Sequence, residues 1–131
     1  MNMKHDFLIN KRKIIVVPQI KGINDFWDLQ FILDTGASKS IIDTDAANRL
    51  GFDLKRLKND NRLMTVTGGI NSKILKLPKL SLFGKDMVNF EVSVLDLPLQ
   101  ITYFADGIIG MDFLLHFESI KFDFVNKIIE I

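Results

Sequence analysis

The stretch Phe31-Ile32-Leu33-Asp34-Thr35-Gly36-Ala37-Ser38 sends a run of apolar residues into a carboxylate set among small neighbours. Such a carboxylate can take a proton from water or give one to a substrate when its surroundings hold it in the required protonation state. Apolar walls raise a carboxyl's pKa, and the chain ahead of Asp34 predicts such walls. Small neighbours let a second backbone come close, and the Thr35 hydroxyl can brace the turn. The tripeptide Asp34-Thr35-Gly36 decides little by itself, because Asp and Gly are the commonest turn residues. Two further segments give it context. Ile108-Ile109-Gly110 follows Asp106-Gly107 and precedes Met111-Asp112-Phe113-Leu114. Val66-Thr67-Gly68-Gly69-Ile70 lies between, with the turn read at Thr67-Gly68-Gly69, a composition that admits the positive φ angles of a hairpin. Any Gly-Gly turn would read alike.

Other chemistries find little support. Cysteine is absent, which excludes a disulfide framework, a thiol nucleophile and a Cys-ligated zinc site. His5 and His116 stand apart with no His-Glu-x-x-His spacing, so no metal is expected. Ser38 and Ser40 have no histidine partner visible in sequence. Asp43 and Asp45 suit a helix amino terminus, and Asp112 suits another. Lys11-Arg12-Lys13 reads as a solvated turn, since the formal net charge is only +1 and supplies no field to gather nucleic acid or an anionic membrane.

The elements that must position Asp34 read mostly as strands. Phe7–Ile9 and Ile14–Val17 flank Asn10-Lys11-Arg12-Lys13 as a β-hairpin. Trp27 to Leu33 alternates, with Leu29, Phe31 and Leu33 on one face. Asp43 to Leu50 suits a short helix stopped by Gly51. Arg62 to Leu77 reads as strand, turn and strand, with Pro78 and Gly84 as punctuation. Asn89 to Leu97 alternates, with Phe90, Val92, Val94 and Asp96 set against Glu91, Ser93 and Leu95. Met111 to Phe117 suits a second short helix, and Ile120–Phe124 with Ile128–Ile131 forms a closing hairpin. Each half carries an alternating strand, an Asp-containing glycine turn and a short helix, a faint internal repeat. The 131 residues, 47% hydrophobic and 25% charged, suit one globular domain over residues 1–131 that carries its own core. Met1 to Asn10 has no apolar stretch suited to a signal peptide, and no run approaches the roughly 18 apolar residues of a membrane span. A cytoplasmic protein with no membrane partner is the expectation.

The order and content of these segments resemble the retropepsin family of aspartic peptidases. Its Asp-Thr/Ser-Gly-Ala/Ser turn at the end of a hydrophobic strand matches Asp34-Thr35-Gly36-Ala37, followed by Ser38. Its pair of hydrophobic residues and a glycine ahead of a short helix matches Ile108-Ile109-Gly110. Its glycine-rich flap over the substrate cleft falls at Val66, Thr67, Gly68, Gly69 and Ile70. The resemblance runs in order from about Ile14 to Ile131 and implies an all-β, closed acid-protease barrel with one or two short helices. It implies Asp34, Thr35 and Gly36 as the catalytic turn, Ala37, Ser38 and the flap as substrate-binding residues, and Ile108, Ile109 and Gly110 as the turn behind the site. Two-lobed relatives carry two Asp-Thr/Ser-Gly turns, whereas this chain has one. The resemblance therefore implies a homodimer acting on polypeptide, with one Asp34 from each chain and no cofactor. Ile128–Ile131 is the expected interface strand, because unpaired apolar edges invite pairing. A catalytically silent peptide- or protein-binding module on the same fold is the alternative, and a protease working within a heterologous complex a third reading.

Overall fold

The computed structural model describes residues 3–60, 64, 65, 68, 69 and 72–131. Fourteen strands and three short helices are named among them. β1 (Lys4–Asp6), β2 (Leu8–Asn10) and β3 (Lys13–Val16) open the chain. The β2–β3 hairpin pairs Asn10 with Lys13, so its turn is Lys11-Arg12, both left-handed at φ 48° and 63°. That is the twist a two-residue hairpin turn requires. β4 (Gln19–Lys21) and β5 (Phe26–Asp28) form the next hairpin, and β6 (Phe31–Leu33) follows. The expected single strand from Trp27 to Leu33 is thus two strands broken at Leu29-Gln30. Leu29, Phe31 and Leu33 nonetheless share one core.

β7 (Ile41–Asp43) leads into α1 (Thr44–Arg49), where the Asp43 carboxylate accepts from the Asp45 N–H as the N-cap. Gly51, at φ +93°, lets the chain turn out of the helix. Beyond a 3-10 turn at Leu54–Arg56, residues 58–60 run antiparallel to 72–74: Asn59 bridges to Lys73, and Asp60 N–H donates to Ser72 O at 2.9 Å. Between these segments β8 (Met64–Thr65) pairs with β9 (Gly68–Gly69). Gly68 and Gly69 are therefore strand residues, whereas the sequence placed them with Thr67 in the turn. Val66, Thr67 and Ile70 lie outside the described residues.

β10 (Lys73–Leu82) and β11 (Lys85–Leu95) form the longest hairpin, running straight through Pro78 and turning at Phe83-Gly84 with φ 55° and 73°. Phe83 meets that strain with packing, its ring 6.1 Å from Phe117 and 6.5 Å from Phe113. α2 (Leu99–Thr102), β12 (Gly107–Ile109), α3 (Met111–Leu114), β13 (Lys121–Asp123) and β14 (Ile128–Glu130) complete the chain. α2 was not expected, and α3 ends three residues before Phe117.

The main sheet has nine strands in the order β2-β3-β6-β12-β7-β11-β10-β4-β5, with β12/β6 and β11/β7 parallel. It curls around a main core that draws Val16, Ile20, Phe31, Ile42, Leu77, Leu80, Val92 and Ile109 from its interior strands and Phe113 from α3. Each such side chain, fully buried, contributes about 1.5–3 kcal/mol of hydrophobic stabilisation. A second sheet has the order β1-β14-β13. β14 is hydrogen-bonded along both edges, and Ile129 at its centre is fully buried. The reading of Ile128–Ile131 as an unpaired interface edge is thereby corrected: β1, absent from the sequence reading, covers it.

Candidate active site

Asp34 stands where β6 ends, and β12 decides where that is. β12 lies between β6 and β7, parallel to the first and antiparallel to the second. The loop 34–40 therefore leaves one neighbour of β12 and returns on the other. Gly107 permits this insertion, because a Cβ there would lie 2.3 Å from Ile41 O and 2.5 Å from the Phe31 ring. The last rung is Asp34 N–H to Ile109 O at 2.9 Å.

The loop is then closed on itself and pinned from behind. Gly36 N–H donates to Asp34 Oδ1 at 2.8 Å, and Ala37 N–H donates to Asp34 O at 3.2 Å. Met111 N–H donates to Ala37 O at 2.7 Å and Asp112 N–H to Ser38 O at 3.1 Å, so these two carbonyls hold the start of α3. Gly110 makes that approach possible: a Cβ there would lie 2.7 Å from Ala37 O and 2.8 Å from Lys39 backbone. The two apolar residues before it divide their work. Ile109 is fully buried in the core, whereas Ile108 is partly buried and lines a cavity beside Asp34.

Three supports were not visible in the sequence reading. Ser40 is fully buried; its Oγ donates to Asp112 Oδ1 at 2.7 Å and accepts from Gly110 N–H at 2.9 Å, while its N–H donates to Asp112 Oδ2 at 2.9 Å. Asp112 also accepts from Phe113 N–H at 2.9 Å. It is a helix-start residue, as read, and also a clamp on the loop. Lys39 Nζ lies 3.0 Å from the buried Asp60 Oδ2, which accepts from Ser93 Oγ as well. That ion pair fastens the base of the arm carrying β8 and β9 to the loop carrying Asp34.

The carboxylate itself differs from the expectation. Asp34, Thr35, Gly36 and Ser38 are exposed in the single chain, so the apolar strand delivers Asp34 to the surface without burying it. The Thr35 side chain makes no hydrogen bond among the described residues. A cavity of about 300 Å³ adjoins Asp34, lined by Arg12, Lys13, Ile14, Ile32, Leu33, Ile101 and Ile108. Asp34 is its only carboxylate among the described residues. Of the residues expected at the substrate, Ala37 and Ser38 lie in the loop, Gly68 and Gly69 lie in the arm, and Val66, Thr67 and Ile70 are outside the described residues.

Residues 20–113 match the model of the aspartyl protease family. The chain belongs to that family. No curated protein matches it in sequence. Among solved structures, this chain is similar to a retropepsin-like aspartic protease from Rickettsia conorii. The TM-score is 0.72 at 21% identity, over 99% of this chain and 90% of the other. It is similar to the EIAV protease complexed with the inhibitor HBY-793, with TM-score 0.57 at 23% identity over 81% of this chain and 88% of that one. The retroviral protease-like domain of Ddi1 from Leishmania major gives 0.53 at 23% identity, over 86% and 82%. The fold of this family member is thus retropepsin-like, as its motifs imply.

Proposed function

We propose that the chain is one subunit of an aspartic endopeptidase, in which a homodimer brings two Asp34 carboxylates together to activate water. The observation that supports this best is the isolation of a rigidly held Asp34: exposed, pinned through Gly36, Ile109 and α3, and without a second carboxylate in its cavity among the described residues. Hydrolysis by this family's chemistry needs two. Two carboxylates a few ångströms apart cannot both ionise cheaply, so they share one proton. The ionised member takes a proton from water as the water oxygen attacks the amide carbon. The protonated member gives its proton to the carbonyl oxygen. The pair titrates as a unit.

A second subunit would also supply the apolar burial that Asp34 lacks and a partner for the Thr35 hydroxyl. The arm carrying β8 and β9 is the candidate flap, and Lys39–Asp60 sets its base against the catalytic loop. An extended polypeptide fits such a cleft by main-chain hydrogen bonding as an added strand.

The test is a mixed peptide pool incubated with purified protein across pH, with Asp34→Asn as control. Cleavage should follow a bell-shaped profile with its optimum on the acidic side of neutral, resist chelators and vanish in the variant. Undiminished cleavage by Asp34→Asn, or loss with a chelator and recovery with zinc, would contradict the reading.

A further inference from the structure

The turn between β2 and β3 carries an unexplained expense. A two-residue turn with both φ angles positive favours Asn-Gly or Asp-Gly, yet here it is Lys11-Arg12, at φ 48° and 63°. Long side chains held in the left-handed region are strained, and such strain points to function. The turn also begins a run of three cations, Lys11-Arg12-Lys13. None of the three is ion-paired among the described residues.

Their position is informative. Arg12 and Lys13 line the cavity of about 300 Å³ that contains Asp34. Lys11 and Lys13 line a second, of about 560 Å³, with Leu99, Gln100, Tyr103 and Phe104. Lys13 borders both, so the cavities adjoin. Leu99 and Tyr103 are 75% and 86% exposed, apolar surface left open beside the cations. Among the described residues Asp34 is the one acid lining either cavity, against three bases.

We propose that Lys11, Arg12 and Lys13 select acidic polypeptide: a Glu or Asp within two or three residues of the cleaved bond, next to a bulky apolar residue seated against Leu99, Tyr103 and Phe104. This deepens the peptidase reading, on which the word cleavage rests. The cations give charge complementarity to the acid, and the exposed Tyr103 and Leu99 with the partly buried Phe104 take the neighbouring apolar side chain.

The test compares matched peptides that differ only in Glu, Gln or Lys at one flanking position. Wild type should show a kcat/KM about fivefold or more higher for Glu than for Gln, narrowing as salt is raised. Two variants guard against misfolding. Lys11→Gln/Arg12→Gln/Lys13→Gln removes the charges, while Lys11→Asn/Arg12→Gly removes two of them and installs the turn pair that this geometry prefers. Both should bring the Glu/Gln ratio towards one, and the second should melt no lower than wild type. The same fluorescent peptides binding to Asp34→Asn give a readout independent of turnover. A Glu/Gln ratio near one in wild type, or one unmoved by either variant, overturns the proposal and leaves the peptidase reading standing. No cleavage of any peptide, together with tighter binding of the Glu peptide that both sets of substitutions abolish, overturns the peptidase reading and supports the acidic ligand.

Discussion

At the scale of single residues, the atoms that hold Asp34 are committed to definite partners. Asp34 Oδ1 accepts from Gly36 N–H, and an asparagine carbonyl can accept the same bond. Asp34→Asn should therefore melt within a few degrees of wild type while losing on the order of a thousandfold or more in kcat, because an amide cannot share the proton. Scanning calorimetry and a peptide assay on one preparation check both halves. Gly110 tests the support behind the loop. A methyl there meets Ala37 O and Lys39 backbone at under 3 Å, so Gly110→Ala should cost about 1–3 kcal/mol and displace the loop. Denaturant melts should register that cost, and a variant as stable and active as wild type would contradict the packing described. The turn Asp34-Thr35-Gly36 and the glycine behind it were legible in the sequence as local structure, each element being an apolar run ending in small residues. Ser40 was not. Its partner Asp112 lies 72 positions away, and no periodicity announces a side-chain clamp between a loop and a helix.

At the scale of elements the β2–β3 and β13–β14 hairpins and the first helix were legible for the same local reason, whereas the β4–β5 hairpin was not. Alternation marked Phe90, Val92 and Val94, and Asp43 with Gly51 bounded α1. The break at Leu29-Gln30 and the pairing of β1 with β14 were not legible, because both are set by tertiary partners. The same holds for Lys39 and Asp60, 21 positions apart, which fasten the arm to the loop. The Asp60 side chain is fully buried and that of Lys39 is 17% exposed. Removing Lys39 takes a close counter-charge away from the buried Asp60 carboxylate. Lys39→Met should destabilise by about 2–3 kcal/mol, less than a wholly buried pair would lose, measurable by urea unfolding; no change would mean that the pair bears no weight. In the turn between β13 and β14, hydrogen bonds from the Asn126 backbone and side chain, with help from Val125 N–H and Lys121, hold the Asp123 carboxyl below its ordinary pKa. Its contribution is present above the ordinary carboxylate range and lost as pH falls through the depressed folded value. Asp123→Asn should therefore flatten the acid limb of the stability profile.

At the scale of the whole molecule the chain folds around a main core, and the homodimer we propose would make it half of a reaction centre. The single Asp-Thr-Gly turn is what raises that proposal in the sequence. The interface strand was misread there, because β14 is interior to its sheet and buries Ile129. Deleting Lys127 to Ile131 should consequently abolish the folded state, seen as lost cooperative melting, and not merely loosen a dimer. The central claim is that each active site takes one Asp34 from each of two chains. The most direct measurement mixes wild type with increasing Asp34→Asn under conditions of subunit exchange and follows activity per wild-type chain. If two carboxylates are required, that activity falls in proportion to the wild-type fraction, since every mixed pair holds one competent acid. Activity per wild-type chain that stays constant as the inactive variant is added would contradict the shared site.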